Sequence, residues 1–448
     1  MDEAYDLVVI GSGTAAQVAS ARVRVAGWKV AGIDHRLFGG TCALRGCDPK
    51  KVLVSGEEAV DAARRMSGRG VAGDLRIDWP TLMAFKRSFT GPVPQRQAEH
   101  YAAQGIDAFR GMARFTGRST IAVDGRTLEA RYVVIAAGAR PAPRGIPGAE
   151  HVATSDDFLE TETLPGHIVL IGGGYIAAEF SHLAAQAGSR VTVLQRGPRL
   201  LPRFDPDLVG WLMESFAALG IAVRTGAAVK RVEKTADGLL VHADAGGREE
   251  TAAADLVVHA AGRAPDLAAL NLPAAGVQLI DGRLALNEFL QSVSNPLVYA
   301  AGDAAGSGPP LTPVSSHDAK VVAGNLLEGN RHRPDYRGVP SVAFTVPPIA
   351  AVGLGEAEAR ASGLRVRVKS QKVPEWFTAR RLADPVYGFK TVVEKETDRI
   401  LGAHLVGPQA DEVINVFALA IRHGLTAENL KTTMFAYPTG ASDLGYML

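Results

Sequence analysis

Two stretches of this 448-residue chain repeat one pattern, and that pattern limits the folds open to it. In the first, the apolar run Asp6 to Ile10 enters Gly11-Ser12-Gly13-Thr14-Ala15-Ala16, continues as a helical stretch, and returns as Lys29 to Ile33 with Asp34 behind it. In the second, His167 to Ile171 enters Gly172-Gly173-Gly174-Tyr175-Ile176-Ala177-Ala178-Glu179, runs as a helix to Ala187 and returns as Arg190 to Leu194. Strand, glycine turn, helix and second strand make a βαβ unit with the dinucleotide fingerprint. Gly11 makes the turn, Gly13 lets a pyrophosphate reach the helix N-terminus, and Asp34 can accept from a ribose hydroxyl. Gly172, Gly174 and Ala177 repeat the arrangement. Two complete units imply two dinucleotides, so that hydride can pass from a nicotinamide to a flavin. After the second strand an acidic residue would accept from the 2′-hydroxyl of NAD; here stand Gln195 and Arg196, with Arg199 and Arg203 nearby. A 2′-phosphate takes an arginine partner, so NADPH is expected over NADH.

The only two cysteines, Cys42 and Cys47, lie five positions apart in Gly39-Gly40-Thr41-Cys42-Ala43-Leu44-Arg45-Gly46-Cys47-Asp48-Pro49-Lys50-Lys51. A metal site needs more ligands, so no metal is expected. On spacing alone the pair reads either as a redox disulfide or as two inert buried thiols. The glycines before Cys42 let backbone approach a cofactor closely. If Cys42 opens a helix, its thiolate gains from the helix dipole and from Arg45. The length predicts two or three domains. A net charge of +1 implies neither a nucleic-acid nor a membrane partner. No apolar run reaches the ~20 residues that span a bilayer. The acidic start, MDEAYDLVVI, enters a strand at once and reads as no signal peptide, so a cytoplasmic location is expected.

The segment Gly39–Lys51 resembles the redox-active segment of the flavoprotein disulfide reductases, the family of glutathione reductase, dihydrolipoamide dehydrogenase and mercuric reductase. The resemblance runs through nearly the whole chain. It implies that Cys42 exchanges with substrate while Cys47 lies against the flavin as a charge-transfer thiolate. Lys50 would sit near the flavin N5 and pair with Glu179, and Tyr175 would lid the flavin. Gly11, Gly13, Ala16, Asp34, Gly40, Thr41 and Ala113 would bind FAD. Ala136 to Pro141, holding Gly138, resembles the family turn under the FAD; Ala260 to Pro265, holding Gly262, resembles the second such turn. Leu297 to Ala305 resembles the returning strand, with Gly302 and with Asp303 on the ribitol. Thr312 would open a helix whose amides face the flavin pyrimidine. The implied fold is α/β, with two Rossmann-like dinucleotide-binding domains and a C-terminal α+β dimerisation domain. The expected division is 1–148 with 270–333 for FAD, 149–269 for the nicotinamide nucleotide and 334–448 for dimerisation.

Four positions depart from the family pattern. The family ends in a histidine with a glutamate five residues on, and this pair protonates the leaving thiol across the dimer. Here Tyr437 and Ser442 stand in those places, in Phe435-Ala436-Tyr437-Pro438-Thr439-Gly440-Ala441-Ser442-Asp443. A tyrosine hydroxyl, with a pKa of ~10, is a poor base at neutral pH. Leu44 replaces a common asparagine. Asp48, beside Cys47, opposes thiolate formation. The expectation is therefore a homodimeric FAD enzyme passing hydride from NADPH to Cys42–Cys47 and on to a small disulfide or other thiol-reactive acceptor. One alternative is a metal-ion or electrophile reductase nearer mercuric reductase. Another is a redox-responsive flavoprotein that serves as a binding or structural protein.

Overall fold

The computed structural model describes residues 3–448. Backbone contacts divide the chain into two compact units. The first takes the N-terminal residues through Lys50, with Phe85–Ala142 and Arg263–Tyr336; the second takes Lys51–Ala84, Pro143–Gly262 and Arg337–Leu448.

The first unit is built on a sheet whose parallel strands run in the order Asp107–Arg110, Val30–Asp34, Glu3–Ile10, Arg126–Ile135 and Val298–Ala300. Strand side chains alternate between faces, and a parallel strand covered on both sides is apolar throughout. Val8, Ile10, Ala31 and Ile33 therefore pack into one core, while Leu7, Val9 and Val30 pack into another with the helix Thr14–Val25. Two short antiparallel strands, Thr120–Val123 and Arg114–Phe115, extend the sheet beyond Arg126–Ile135.

The second unit repeats the device. Its parallel sheet runs Ala222–Thr225, Arg190–Gln195, His167–Ile171, Leu256–His259. Ile168 and Leu170 face the core that holds the helix Tyr175–Gln186, while Val169 and Ile171 face a three-stranded meander. The meander turns where Asp237-Gly238 and Gly246-Gly247 predict, between Ala227–Thr235, Gly238–Ala245 and Arg248–Ala254. The same unit holds a five-stranded antiparallel sheet of residues Ser341–Ala343, Ile349–Gly353, Ile400–Val406, Gly388–Glu394 and Val366–Lys372, covered on one face by the helix Ala410–His423. This is the expected α/β class with an α+β C-terminal part.

Pro80 lies inside the first turn of the helix Trp79–Thr90, where a missing N–H leaves no helical bond unmade. Among the described residues, no helix is long and apolar enough to cross a membrane.

Candidate active site

The thiol segment is held against the first glycine turn. Gly39 and Gly40 adopt φ of 133° and 74°, which only glycine tolerates readily. A Cβ on Gly40 would stand 2.3 Å from the Cα of Gly13, so the two backbones touch. Ser12 Oγ donates to Asp34 Oδ2 at 2.6 Å and accepts from the Gly39 amide at 3.1 Å. Asp34 is thus fixed at the end of its strand, as the fingerprint requires, while Ser12 joins turn and thiol segment. Thr41 and Cys42 then lie in a six-residue helix, Gly40–Arg45, and Cys47 opens the helix Cys47–Arg65.

It is Cys47, rather than Cys42, that begins the long helix, and the two thiols divide accordingly. Cys47 is lowered from the usual thiol range to about 6, first by the hydrogen bond from Cys42, then by the Thr312 hydroxyl and the Lys50 ammonium. Cys42 is raised, because it donates that bond and is partly buried. Asp48 Oδ1 lies 3.8 Å from Cys42 Sγ and opposes ionisation of both thiols, as expected, but it ranks last among the causes at each. The Thr312 hydroxyl sits 3.1 Å from Cys42 Sγ and 3.5 Å from Cys47 Sγ. The sequence places Thr312 at a helix start, and it is the first residue of Thr312–Glu328; its side chain touches both thiols.

The remaining first-unit candidates lie on tight turns. A Cβ on Gly11 (φ 120°) would fall 2.2 Å from the Ala136 carbonyl oxygen. Gly13 caps the helix Thr14–Val25 with no side-chain cap, leaving first-turn amides to face a ligand, and Ala16 is buried in that helix. The strand Ala139–Pro141, after Gly138, pairs antiparallel with Arg263–Pro265. Asp303 lies in the short helical turn Gly302–Ala304, its carboxyl raised by burial against the pull of Arg263. Gly302 N–H donates to the buried Asp318, which also accepts from Tyr336. Ala113 packs into the sheet core.

In the second unit, a Cβ on Gly172 (φ 120°) would fall 2.3 Å from the Ala260 carbonyl oxygen. Gly174 starts the helix Tyr175–Gln186, again with no side-chain cap, and Ala177 is buried within it. Tyr175 meets Phe204 edge to face, and buried Glu179 accepts from the Phe344 amide at 2.8 Å. Gly262 has φ 114°. Gln195 lies over Gly173 and donates to the Arg199 carbonyl at 3.3 Å, and Arg196 is exposed. Arg199 donates to the carbonyls of Leu201, Pro202 and Phe204, so it braces its own loop.

The description "Pyridine nucleotide-disulphide oxidoreductase" matches residues 5–319, and its dimerisation domain matches residues 339–447. Mercuric reductase of Staphylococcus aureus is 35% identical over 99% of this chain and 82% of its own length. Glutathione reductase of Nostoc sp. is 31% identical, with 98% of each chain covered. Among solved structures, the HOCl-induced flavoprotein disulfide reductase RclA from Escherichia coli superposes with a TM-score of 0.89 at 28% identity, covering 99% of each chain. The chain belongs to the pyridine nucleotide-disulphide oxidoreductases.

It is therefore an NAD(P)H-dependent flavoprotein disulfide reductase with FAD as its cofactor. The uncapped helix starts behind Gly13 and Gly174, with the close approaches at Gly11 and Gly172, fit a pyrophosphate at each turn. The C-terminal departure is real in three dimensions. Tyr437 is 79% exposed. Ser442 donates to the Thr439 carbonyl and accepts from the Thr439 amide, so its hydroxyl closes a turn. Among the described residues, no group of three or more His, Cys, Asp or Glu could hold a metal ion.

Nothing in the sequence points to Glu57 as part of the second unit's interior. Glu57, fully buried, has no hydrogen-bond partner on either oxygen, and His182, also fully buried, lies 3.7 Å away. Burial pushes the Glu57 carboxyl well up, with Asp61, Glu58 and Glu179 adding to it and Lys51 opposing; burial pushes His182 down to about 3.

Proposed function

We propose that this reductase takes electrons from NADPH in preference to NADH and delivers them through Cys47 and Cys42 to an acceptor that needs no protonated leaving thiol. The observation that carries this is the uneven pair: a low-pKa Cys47 at a helix start, a protonated Cys42, and one threonine hydroxyl on both. FAD supplies the two-electron step that opens the Cys42–Cys47 disulfide. The residues then do three things. Cys47 holds the thiolate, stabilised by Cys42, Thr312 and Lys50. Cys42 keeps its proton until an acceptor approaches, then passes it to the Asp48 carboxylate 3.8 Å away and attacks as the thiolate. Lys50 keeps a positive charge beside Cys47, and Glu179 and Tyr175 take the places that the family gives to its flavin-side glutamate and lid. Per turnover NADPH is oxidised to NADP+ and the acceptor gains two electrons; reduction of a disulfide to two thiols consumes one proton, whereas reduction of a divalent metal ion releases one. The active form is a homodimer divided at the expected domain boundaries and located in the cytoplasm.

Tyr437 and Ser442 favour an acceptor with an acidic leaving group, because no group with a pKa near neutrality stands where the family holds its acid. A disulfide whose departing thiol is acidic is one such acceptor. A soft metal ion held between the two thiols is the second reading. It is favoured by the mercuric reductase relatives and by the Cu(II) complex of RclA. The test is steady-state NADPH oxidation with glutathione disulfide, an aromatic disulfide of acidic thiol, and Hg(II) or Cu(II). The aromatic disulfide or the metals should exceed glutathione disulfide, and Tyr437→His with Ser442→Glu should raise only the glutathione disulfide rate, by up to about 10²-fold. High wild-type turnover of glutathione disulfide, unchanged in the double variant, contradicts the proposal.

A further inference from the structure

An ion cluster centred on buried Lys390 and Asp205 ties the C-terminal sheet to the segment that follows Gln195 and Arg196. Along the strand Gly388–Glu394, Phe389 and Val393 face the helix Ala410–His423. Gly388 and Lys390 alternate to the other face, where the helix Pro206–Ala218 lies; a Cβ on Gly388 would stand 2.5 Å from the Trp211 ring. Lys390, 5% exposed, places Nζ 2.6 Å from Asp207 Oδ2, 3.0 Å from Asp205 Oδ2 and 3.9 Å from Glu356 Oε2.

Asp205 is buried and two-handed. Its Oδ1 accepts the Asp207 amide as the cap of the helix, while Oδ2 meets Lys390. It also ends the loop that begins at Gln195. Within that loop Arg199 gathers the carbonyls of Leu201, Pro202 and Phe204, and the Leu201 amide donates to the Gly173 carbonyl at 2.6 Å. The loop is thus anchored at one end to the second glycine turn and at the other to Lys390. Apolar residues at 390 and 205 together would pack the helix on the sheet at little loss of stability, since replacing a whole buried ion pair by apolar groups is often neutral. A lysine adds direction, fixing where Asp205 stands.

We propose that Lys390 is a positioning residue for the choice between NADPH and NADH: through Asp205 it holds the Gln195–Phe204 loop so that Arg196 meets the 2′-phosphate. The inference rests on the reading that Gln195 and Arg196 face the adenosine ribose. The test uses the full-length FAD-loaded protein and calorimetric titration with adenosine 2′,5′-bisphosphate and adenosine 5′-monophosphate. Lys390→Met, and Lys390→Met with Asp205→Asn so that no charge is left buried and unpaired, should each weaken the bisphosphate about tenfold and the monophosphate less than about twofold, the ratio being a lost charge-assisted contact. Arg196→Ala should do the same. If Arg196→Ala removes the preference and the double variant keeps it, Lys390 has no part in selection and the proposal is overturned. If wild type binds both nucleotides equally, or Arg196→Ala keeps the preference, the reading of the loop fails and the proposal fails with it.

Discussion

At the first glycine turn the strand ends in Asp34, whose carboxylate accepts from Ser12; at the second it ends in Gln195, whose amide donates to the Arg199 carbonyl. The backbones at the two turns are nearly the same: Gly11 and Gly172 share φ of 120°, and each lies against a carbonyl oxygen of the strand beside it. The helices behind them differ. Thr14–Val25 buries Ala15, Ala16, Ala19, Ser20 and Val23, whereas Tyr175–Gln186 turns Glu179 and His182 inward. The shared backbone makes a pyrophosphate cradle twice; the differing side chains decide which nucleotide each cradle takes and how its unit responds to pH.

The largest effects should come from breaking the shared part. Gly11→Ala and Gly172→Ala each add about 1–3 kcal/mol of backbone strain and a methyl 2.2 or 2.3 Å from a carbonyl oxygen. Gly11→Ala should yield protein without bound flavin, read from its visible absorbance. Gly172→Ala should keep its flavin yet fail to reduce it with NADPH, while dithionite still does. Loss of flavin from both variants alike would erase the distinction between the turns.

A smaller effect should come from exchanging the differing part. Gln195→Glu makes the second turn resemble the first. It should lower the NADPH-to-NADH ratio of kcat/KM by about tenfold, because a carboxylate accepts from a 2′-hydroxyl and repels a 2′-phosphate. An unchanged ratio would remove Gln195 from nucleotide selection.

The smallest effect concerns the buried acid of the second unit. Glu57 is raised above its ordinary 4.5, so it stabilises the fold below that pH, and this stability is lost as pH rises through its folded value. His182 is lowered and acts in the opposite sense below its ordinary 6.5, a contribution that cancels between variants. Glu57→Gln should therefore match wild type near pH 5 and exceed it in stability at pH 8, where the wild-type carboxyl must either hold its proton against the solution pH or lie buried as a charge. Denaturant midpoints at the two pH values measure this. Equal differences at both would mean that Glu57 does not hold a proton in the fold.

Much of this could be read from the chain alone. The strand His167–Ile171 and both meander turns fall where apolar runs and glycine pairs put them, because these signals are local. What could not be read needs two distant segments at once. The Thr312 hydroxyl between the thiols joins residues 270 and 265 positions apart. Glu57 stands beside Glu58 with nothing in the sequence to set it apart, yet it turns inward to His182. Arg199 reads as a phosphate ligand until its loop is seen to curl around it. Which cysteine begins the long helix depends on the break at Gly46, with φ −145° and ψ −115°, and no motif spacing reveals that angle.

The unequal thiols are the centre of this account, and one measurement addresses them directly: anaerobic NADPH titration of wild type, Cys42→Ser and Cys47→Ser, followed across pH by the long-wavelength thiolate–flavin absorbance. In reduced wild type the band should persist at neutral pH and fade with a midpoint of about 6, where Cys47 gains its proton. Cys42→Ser should show the band without any reductant, and Cys47→Ser should never show it while still binding FAD. A band in Cys47→Ser, or a wild-type midpoint at the ordinary thiol value of 9.0, would contradict the assignment of the two thiols.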